Sequence, residues 1–177
     1  ASCGISLLDS PSEVGGIALN YLGLDANSES AEDLARAEEL LTAIKPHIRY
    51  FHSSQYIDDL GNGEICVALG YSGDIFIAAD AAAAADNGVE VQYVIPEEGA
   101  ATLFDFLAIP VDAPHPENAH AFINYILEPE VVAAITNYVF YANPNLAATE
   151  FVDEEVKSNP GIYAPAETIA KAFVMGA

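Results

Sequence analysis

Acidic and aromatic residues stand close together at two places in this sequence. Tyr71 comes three residues before Asp74, and Phe104 directly precedes Asp105. Carboxylates can pair with the ends of an alkylammonium ion, and an aromatic ring face adds a cation–π attraction of about 0.5 to 2 kcal/mol. This combination indicates a site for a small organic cation, to which a third acid, Glu13, could contribute.

Each of the three acids also has an explanation that involves no ligand. Glu13 follows Ser10 at the spacing of a capping box, which starts a helix. Asp74 would lie in the first turn of a helix, where the helix dipole favours acids. Asp105 interrupts an apolar run over residues 103–109, and the alternation of a strand would allow it to face solvent. The residues alone leave both explanations open.

Common catalytic motifs are missing from the sequence, which has no G-x-S-x-G, P-loop or H-E-x-x-H. His115 and His120 are a poor metal pair, because they are five residues apart with a proline between them. His52 and Ser53 are adjacent, so on a strand they would point to opposite faces. Nothing places two carboxyl groups across one reacting bond, as a glycosidase requires. We therefore expect no enzyme, no metal site and no cofactor.

The charge balance is strongly acidic, with 5 Lys and Arg against 27 Asp and Glu and a formal net charge of -22. Such a field repels nucleic acid and anionic membranes and attracts cations. Acidic surfaces also serve solubility or a saline habitat, so the total charge alone does not indicate a cationic ligand. Apolar runs stay shorter than the roughly 18 to 20 residues that span a membrane. Residues 1–4 have neither a basic start nor an apolar run, which predicts a processed chain or a fragment.

Two cysteines, Cys3 and Cys66, are present, and their spacing does not suggest a metal site. A bridge between them would close a loop of more than 60 residues. Loop entropy would make that bridge worth roughly 3 to 4 kcal/mol, and it would indicate an oxidising compartment. The residues alone leave open whether the two thiols are bridged or free.

Helix and strand patterns alternate along the chain. Apolar stripes with Ser, Pro or Gly at their ends predict helices that begin near Ser10, Ser30, Gly70, Pro116, Pro129 and Pro165. Apolar or alternating runs predict strands over residues 48–51, 65–69, 89–95 and 103–109. Strands connected mostly by helices indicate an α/β fold. A change of composition over residues 96–102 predicts a hinge between two lobes.

The order of these elements predicts where the acids lie. In open α/β sheets, ligands bind at the carboxyl ends of the strands. Glu13 and Asp74 each begin a helix directly after a predicted strand, so both should lie at this edge. Phe140 and Tyr141 directly follow a predicted helix and could add aromatic surface.

Several stretches spread over nearly the whole chain point to one known family. They are CGISLLDSP at 3–11, IRYFHSSQY at 48–56, NGEICVA at 62–68, GYSGD at 70–74, FD at 104–105, YANP at 141–144 and NPGIY at 159–163. In these stretches the sequence resembles the putrescine- and spermidine-binding proteins that deliver polyamines to ABC importers. It is most similar to the putrescine-binding branch.

The resemblance implies a type II periplasmic-binding fold of the α/β class, in which two lobes close on a ligand. It implies that the ligand-facing positions are Glu13, Ser53, Tyr71, Asp74, Leu103, Asp105 and Tyr141. The acids would hold the ammonium ends, while Tyr71 and Tyr141 would flank the carbon chain. Such proteins carry matching cysteines, so the resemblance also implies a Cys3–Cys66 disulfide and a periplasmic or otherwise extracytoplasmic location.

Two positions depart from the family pattern. The family often has tryptophan at the position of Tyr71 and an aromatic residue at that of Leu103, whereas this chain has no tryptophan. Weaker aromatic packing at both positions leaves the preferred polyamine open. It also leaves open a module for another small organic cation or for an amino-acid-like ligand.

The chain is also much shorter than members of this family. The resemblance therefore implies that residues 1–100 are an incomplete second lobe, and that residues 101–177 are the hinge strand and helical end of the first. Such a part should expose apolar surface. We expect the chain to bind a polyamine and to act with the permease of an ABC importer. We also expect it to associate with either the missing first lobe or a second chain. Alone, the chain should bind polyamine only weakly.

Overall fold

The computed structural model describes residues 3–176 of the chain. Its helices and strands are, in order, β1 (Ile5–Leu7), α1 (Pro11–Tyr21), α2 (Ala31–Ile44), β2 (Ile48–Phe51), α3 (Tyr56–Gly61), β3 (Val67–Ala68), α4 (Ser72–Ala85), β4 (Ala101–Thr102), α5 (Pro116–Ile126), α6 (Pro129–Val139), α7 (Glu154–Lys157), α8 (Ala166–Ile169) and β5 (Phe173–Val174). Short 3-10 helices occupy Lys45–His47 and Leu146–Ala148. This alternation confirms the predicted α/β class.

The chain divides into two compact units. The first comprises Ala1–Leu103 together with Pro165–Ala177, and the second comprises Phe104–Ala164. The first boundary lies next to the predicted hinge at residues 96–102. The segment from Pro165 onward joins the first unit, although the sequence suggested one continuous segment over residues 101–177. The assignment of these units to lobes of a larger cleft stays a prediction.

Parallel strands organise the first unit. Its main sheet has the order β2-β1-β3, and Ile5 of β1 pairs with Ile48 on one side and Val67 on the other. Parallel strands need crossover connections. Helices α1 and α2 connect β1 to its neighbour β2, and α3 connects β2 to β3, which lies on the other side of β1. A second, two-stranded sheet pairs β4 with β5, also in parallel.

The core of the first unit lies beneath this main sheet. It is built from residues of the sheet region and of α1, α3 and α4, namely Leu8, Val14, Tyr56, Leu60, Ile65, Ile75 and Ala78. The Tyr56 side chain is completely buried. A smaller cluster joins α1 to α2 through Ala18, Leu19 and Ala37. Burial of these apolar residues holds the first turns of α1 and α4 in fixed positions relative to the sheet.

Prolines mark several helix starts. Pro11, Pro116 and Pro129 occupy the first turns of α1, α5 and α6. Proline suits this position because the N–H that it lacks has no partner within the helix. The predicted starts of these three helices are confirmed.

Two predicted strands are wrong. Residues 89–95 and 103–109 pair with no other strand among the described residues, and β4 ends at Thr102 before the second run begins. An alternating run becomes a strand only where a neighbour satisfies its backbone N–H and C=O groups. The predicted strand over residues 65–69 is likewise shorter, because only Val67–Ala68 pairs with β1.

The second unit contains helices α5, α6 and α7. Helix α6 contributes the buried residues Ala133 and Thr136. The Asn143 side chain donates a 2.9 Å hydrogen bond from Nδ2 to Thr136 Oγ1, which ties the segment after α6 to the helix. Phe140 ends α6 in a left-handed conformation with φ 59°. Few non-glycine residues adopt this conformation, so the chain turns sharply just before Tyr141.

Candidate functional site

Two of the predicted acids lie at one edge of the main sheet. Strands β1 and β3 are parallel neighbours, and each leads into a helix beyond its carboxyl end. Glu13 lies in the first turn of α1, and Asp74 lies in the first turn of α4. The strand order therefore brings both carboxylates to the edge at which open α/β sheets bind ligands.

Tyr71 connects the start of α4 to Glu13. It is the N-cap residue of α4, and its hydroxyl donates a 2.9 Å hydrogen bond to Glu13 Oε2. The capping-box explanation of Glu13 requires a bond from the Ser10 side chain to the helix backbone. Ser10 makes no such bond in the described structure. The structure therefore shows Glu13 as the acceptor of a hydrogen bond from the Tyr71 hydroxyl, and it does not show the capping box.

Tyr56 extends the connection to Asp74. Its hydroxyl donates a 2.6 Å hydrogen bond to Asp74 Oδ2 and accepts a 3.0 Å bond from the backbone N–H of Tyr71. Hydrogen bonds thus join Glu13, Tyr71, Tyr56 and Asp74 into one path, in which Tyr71 takes part through its hydroxyl at one end and its backbone N–H at the other. Bonds from a hydroxyl to a carboxylate are shorter and stronger than neutral ones, so the path holds both acids in defined orientations.

Ser53 also lies beyond the carboxyl end of a strand, in the turn after β2. Its Oγ accepts a 3.1 Å hydrogen bond from the backbone N–H of Asp9, which follows β1. The turn is fixed by His52, whose Nδ1 accepts bonds from the backbone N–H groups of Ser54 and Gln55. The structure therefore brings Ser53 to the same sheet edge as Glu13 and Asp74.

The other three predicted site residues lie at or beyond the boundary between the units. Leu103 is the last residue of the first segment and is 46% exposed. Asp105 and Tyr141 belong to the second unit, and both are exposed. The Asp105 carboxylate is exposed rather than buried, and no strand forms over residues 103–109 among the described residues. Its contribution to a site with Glu13 and Asp74 stays a prediction, as do those of Leu103 and Tyr141.

A second pair of a phenol and a carboxylate lies on other residues of the first unit. The Tyr50 hydroxyl donates a 2.6 Å hydrogen bond to Asp59 Oδ2. Burial, followed by this hydrogen bond and the charge of Asp59, raises the pKa of Tyr50 from 10.0 to about 12. Because it involves none of the predicted site residues, this pair is a natural reference for the bond between Tyr56 and Asp74.

Other kinds of site find little support in the described part of the chain. Within residues 3–176, no group of three or more His, Cys, Asp or Glu side chains could hold a metal ion. The same residues include no helix that is both long enough and apolar enough to cross a membrane.

A disulfide joins Cys3 to Cys66, as the resemblance implied. The Cα atoms are 5.7 Å apart, which is within the usual range for a disulfide. The bridge links the segment before β1 to the segment before β3, and the Cys66 backbone N–H also donates to the Gly4 carbonyl. It therefore stabilises the pairing of the two strands that lead to Glu13 and Asp74.

An apolar cavity of about 290 Å³ lies between the main sheet, α1 and α2. Its lining consists of Leu7, Val14, Ile17, Ala18, Tyr21, Leu40, Leu41, Ile44 and Leu69. Tyr21 remains 61% exposed beside it. The cavity has no carboxylate in its lining, so it offers a cation an apolar surface and no charged partner.

Tyr56 is the residue of the path that the sequence did not predict. Tyr56 and Leu60 are four residues apart in a short helix, a spacing that predicts a shared buried face. Sequence spacing could not identify the partners of the hydroxyl, because Tyr71 and Asp74 are 15 and 18 residues away.

Known proteins resemble this chain along nearly its whole length. Residues 4–164 match the family described as "Bacterial extracellular solute-binding protein". The putrescine-binding periplasmic protein PotF of Escherichia coli (strain K12) is 54% identical over 175 residues, covering 98% of this chain and 47% of that protein. The putrescine-binding periplasmic protein SpuD of Pseudomonas aeruginosa (strain UCBPP-PA14) is 49% identical over 171 residues, covering 97% of this chain and 47% of that protein.

Solved structures show a matching fold. The spermidine/putrescine ABC transporter substrate-binding protein PotD of Streptococcus pneumoniae superposes with a TM-score of 0.78 at 28% identity. That match covers 99% of this chain and 52% of the other. The chain spans about half the length of the curated relatives that it matches.

Proposed function

The chain belongs to the bacterial extracellular solute-binding protein family, and on that premise we propose that it recognises polyamines, with putrescine as the preferred ligand. In this role it would capture the polyamine in the periplasm and deliver it to the membrane permease of an ABC importer. It acts by binding and release, without chemical conversion of the ligand.

The observation that carries this proposal is the hydrogen-bonded path from Glu13 to Asp74. It presents two carboxylates and one tyrosine ring at a single sheet edge. A diamine offers two ammonium ends and an apolar carbon chain, which match carboxylates and a ring face. The net charge of -22 adds long-range attraction for any polycation.

Three further residues complete the proposed ligand set. We propose that Leu103, Asp105 and Tyr141 also contact the ligand, as the resemblance to polyamine-binding proteins implies. Asp105 is an exposed acid and is therefore accessible to an ammonium group.

We further propose that the apolar cavity between the sheet, α1 and α2 is covered by polypeptide that corresponds to the other half of the longer relatives. The relatives are about twice as long as this chain, which leaves a comparable length of protein to supply that cover. Burial of the cavity lining would stabilise the association at about 25 cal/mol per Å² of apolar area. Sedimentation of the 177-residue chain distinguishes this cover from a second copy of the chain. A stable dimer would identify a second copy as the cover.

Isothermal titration calorimetry tests the ligand assignment. Putrescine, cadaverine and spermidine are titrated into the natural protein that contains this sequence, and separately into the 177-residue chain. We expect saturable binding of putrescine by the natural protein and much weaker binding by the chain alone, because the chain spans only about half the length of its putrescine-binding relatives. The absence of heat and of any melting shift with all three amines would refute the proposal.

A second candidate ligand class is another small organic cation or an amino-acid-like molecule. The hydroxyl of Tyr71 favours this second class, because it already donates a hydrogen bond to Glu13. The tryptophan that is common at this position in the family has no such hydroxyl. A thermal-shift panel of diamines, guanidino compounds and basic amino acids would separate the two. A larger shift with a non-polyamine than with putrescine would favour the alternative.

A further inference from the structure

We infer that Tyr56 is the positioning residue of the cation site: it orients both carboxylates although it is buried in the core beneath them. This inference rests on the proposed polyamine-binding function. Tyr56 is not one of the predicted ligand residues. We infer that its hydroxyl aligns Asp74 directly and aligns Glu13 through Tyr71.

The first step of the argument is the location of the hydroxyl. The Tyr56 side chain is 0% exposed and packs in the main core with Leu60 and Ile75. A buried hydroxyl without hydrogen bonds is costly, so its position in the core requires polar partners. Those partners are the Asp74 carboxylate and the Tyr71 backbone N–H. The core therefore fixes the ring, and the ring fixes the two site residues.

The second step is that one hydroxyl controls two branches. As a donor it holds Asp74 Oδ2 at 2.6 Å, and as an acceptor it holds the backbone of Tyr71 at 3.0 Å. The side chain of Tyr71 in turn reaches Glu13. Asp74 and Glu13 lie on different helices, so this path sets the relative position of the two acids independently of either helix alone.

The third step is the space reserved for the ring. A Cβ atom at Gly70 would lie 2.5 Å from Cε2 and 2.8 Å from Cζ of Tyr56, and 3.1 Å from Cδ1 of Ile75. Real Cβ atoms do not approach so closely, so any side chain at Gly70 would displace the ring that carries the hydroxyl. Gly70 lies directly between β3 and α4, where it allows the core ring to approach the start of the helix.

A core tyrosine could also have only a structural role. In that case the loss of its hydroxyl would lower stability without a selective effect on ligand affinity. Tyr50 provides the matched reference, because its hydroxyl donates to Asp59 at the same 2.6 Å distance. Removal of either hydroxyl deletes a bond between a phenol and a carboxylate, but only the Tyr56 hydroxyl is connected to Asp74 and Tyr71.

The experiment compares Tyr56→Phe with Tyr50→Phe in the natural protein. Calorimetry gives the putrescine Kd, thermal melting gives stability, and NMR gives the exchange rate of the Tyr71 amide and the carboxyl carbon signal of Asp74. Tyr56→Phe should raise Kd about tenfold, the scale expected for a lost hydrogen bond to a charged group. It should also accelerate Tyr71 amide exchange and shift the Asp74 signal. Tyr50→Phe should leave Kd and both signals close to their original values.

Gly70→Ala is the second variant, in case Tyr56→Phe folds poorly. It retains the hydroxyl but displaces the ring, so it should reproduce the loss of affinity. Unchanged Kd in both variants, or equal losses in Tyr56→Phe and Tyr50→Phe, would overturn the inference. If the unsubstituted protein does not bind putrescine, the proposed function fails. The inference is then decided by the NMR signals: unchanged signals in Tyr56→Phe overturn it, and changed signals support it.

Discussion

The hydroxyl of Tyr71 donates a 2.9 Å hydrogen bond to Glu13, a residue 58 positions earlier in the chain. The two residues begin different helices, yet parallel pairing of β1 with β3 brings those helices to one edge of the sheet. The bond gives the ring of Tyr71 a fixed orientation and gives Glu13 one fixed donor. The acid and the aromatic surface are therefore coupled before any ligand arrives.

Loss of this hydroxyl should weaken the site while the ring remains. Tyr71→Phe should lower putrescine affinity by about 1 kcal/mol, roughly fivefold, because Glu13 then loses a donor that orients it. Calorimetry on the natural protein measures the change. Tyr138→Phe is the control, since Tyr138 is 82% exposed in the second unit. Unchanged binding by Tyr71→Phe would contradict this expectation, and tighter binding would show that the hydroxyl competes with the ligand for Glu13.

Neutralisation of Asp74 should cause a larger loss. Asp74→Asn keeps the shape of the side chain but removes its charge, so an ammonium end would lose its partner. We expect a loss of about 2 kcal/mol or more in putrescine binding, as for one member of a desolvated charge pair. Asp80→Asn on the same helix removes an exposed charge and should alter Kd little. Similar effects of the two substitutions would indicate attraction by total charge alone.

Asp105→Asn tests the contribution of the second unit. If Asp105 holds an ammonium end of the ligand, this substitution should weaken binding by about 2 kcal/mol, although the Asp105 side chain is exposed in the structure. The measurement is the putrescine Kd of the natural protein, with Asp112→Asn as a control at another exposed acid. A wild-type Kd for Asp105→Asn would exclude this residue from the site.

Reduction of the disulfide should destabilise the first unit. The bridge spans a sequence separation of 63 residues, and loop entropy predicts a contribution of roughly 3 to 4 kcal/mol. Urea unfolding with and without dithiothreitol measures it. The sequence has only 2 cysteines, so the reductant affects no other thiol. A Cys3→Ala, Cys66→Ala variant should match the reduced protein, and an unchanged urea midpoint in either sample would contradict the expectation.

Tyr50 should ionise later than an ordinary tyrosine. Its pKa of about 12 in the folded chain exceeds the ordinary value of 10.0. The stability from this raised pKa is fully present below about pH 10 and is lost as the pH rises through about 12. The ultraviolet difference titration between the wild type and Tyr50→Phe should have its midpoint near that upper pH. A midpoint near the ordinary value would mean that the Tyr50–Asp59 bond does not persist in solution.

Several elements followed directly from local sequence. Proline at residues 11, 116 and 129 predicted three helix starts, because its fixed φ and missing N–H suit only the first turn. The four residues of β2 were predicted in full. These signals succeed because they depend on residues that are near neighbours in the chain.

Other predictions failed where a distant partner decided the outcome. Residues 103–109 form an almost entirely apolar run that suits a strand, but no described strand lies beside them. Glu13 has the spacing of a capping box, but its carboxylate accepts from Tyr71 instead. In both cases the local pattern permits the predicted structure, while long-range packing determines whether it forms.

By itself, the sequence determined the α/β class and the family resemblance, and it supplied the residues that are proposed to recognise a cation. Only the tertiary structure decided that Tyr56, a core residue, connects Asp74 to Tyr71 and so to Glu13. The physical reason is that hydrogen bonds act over about 3 Å in space, whatever the separation along the chain. Parallel pairing of β1 with β3 brings these residues close together, and no local sequence pattern predicts that pairing.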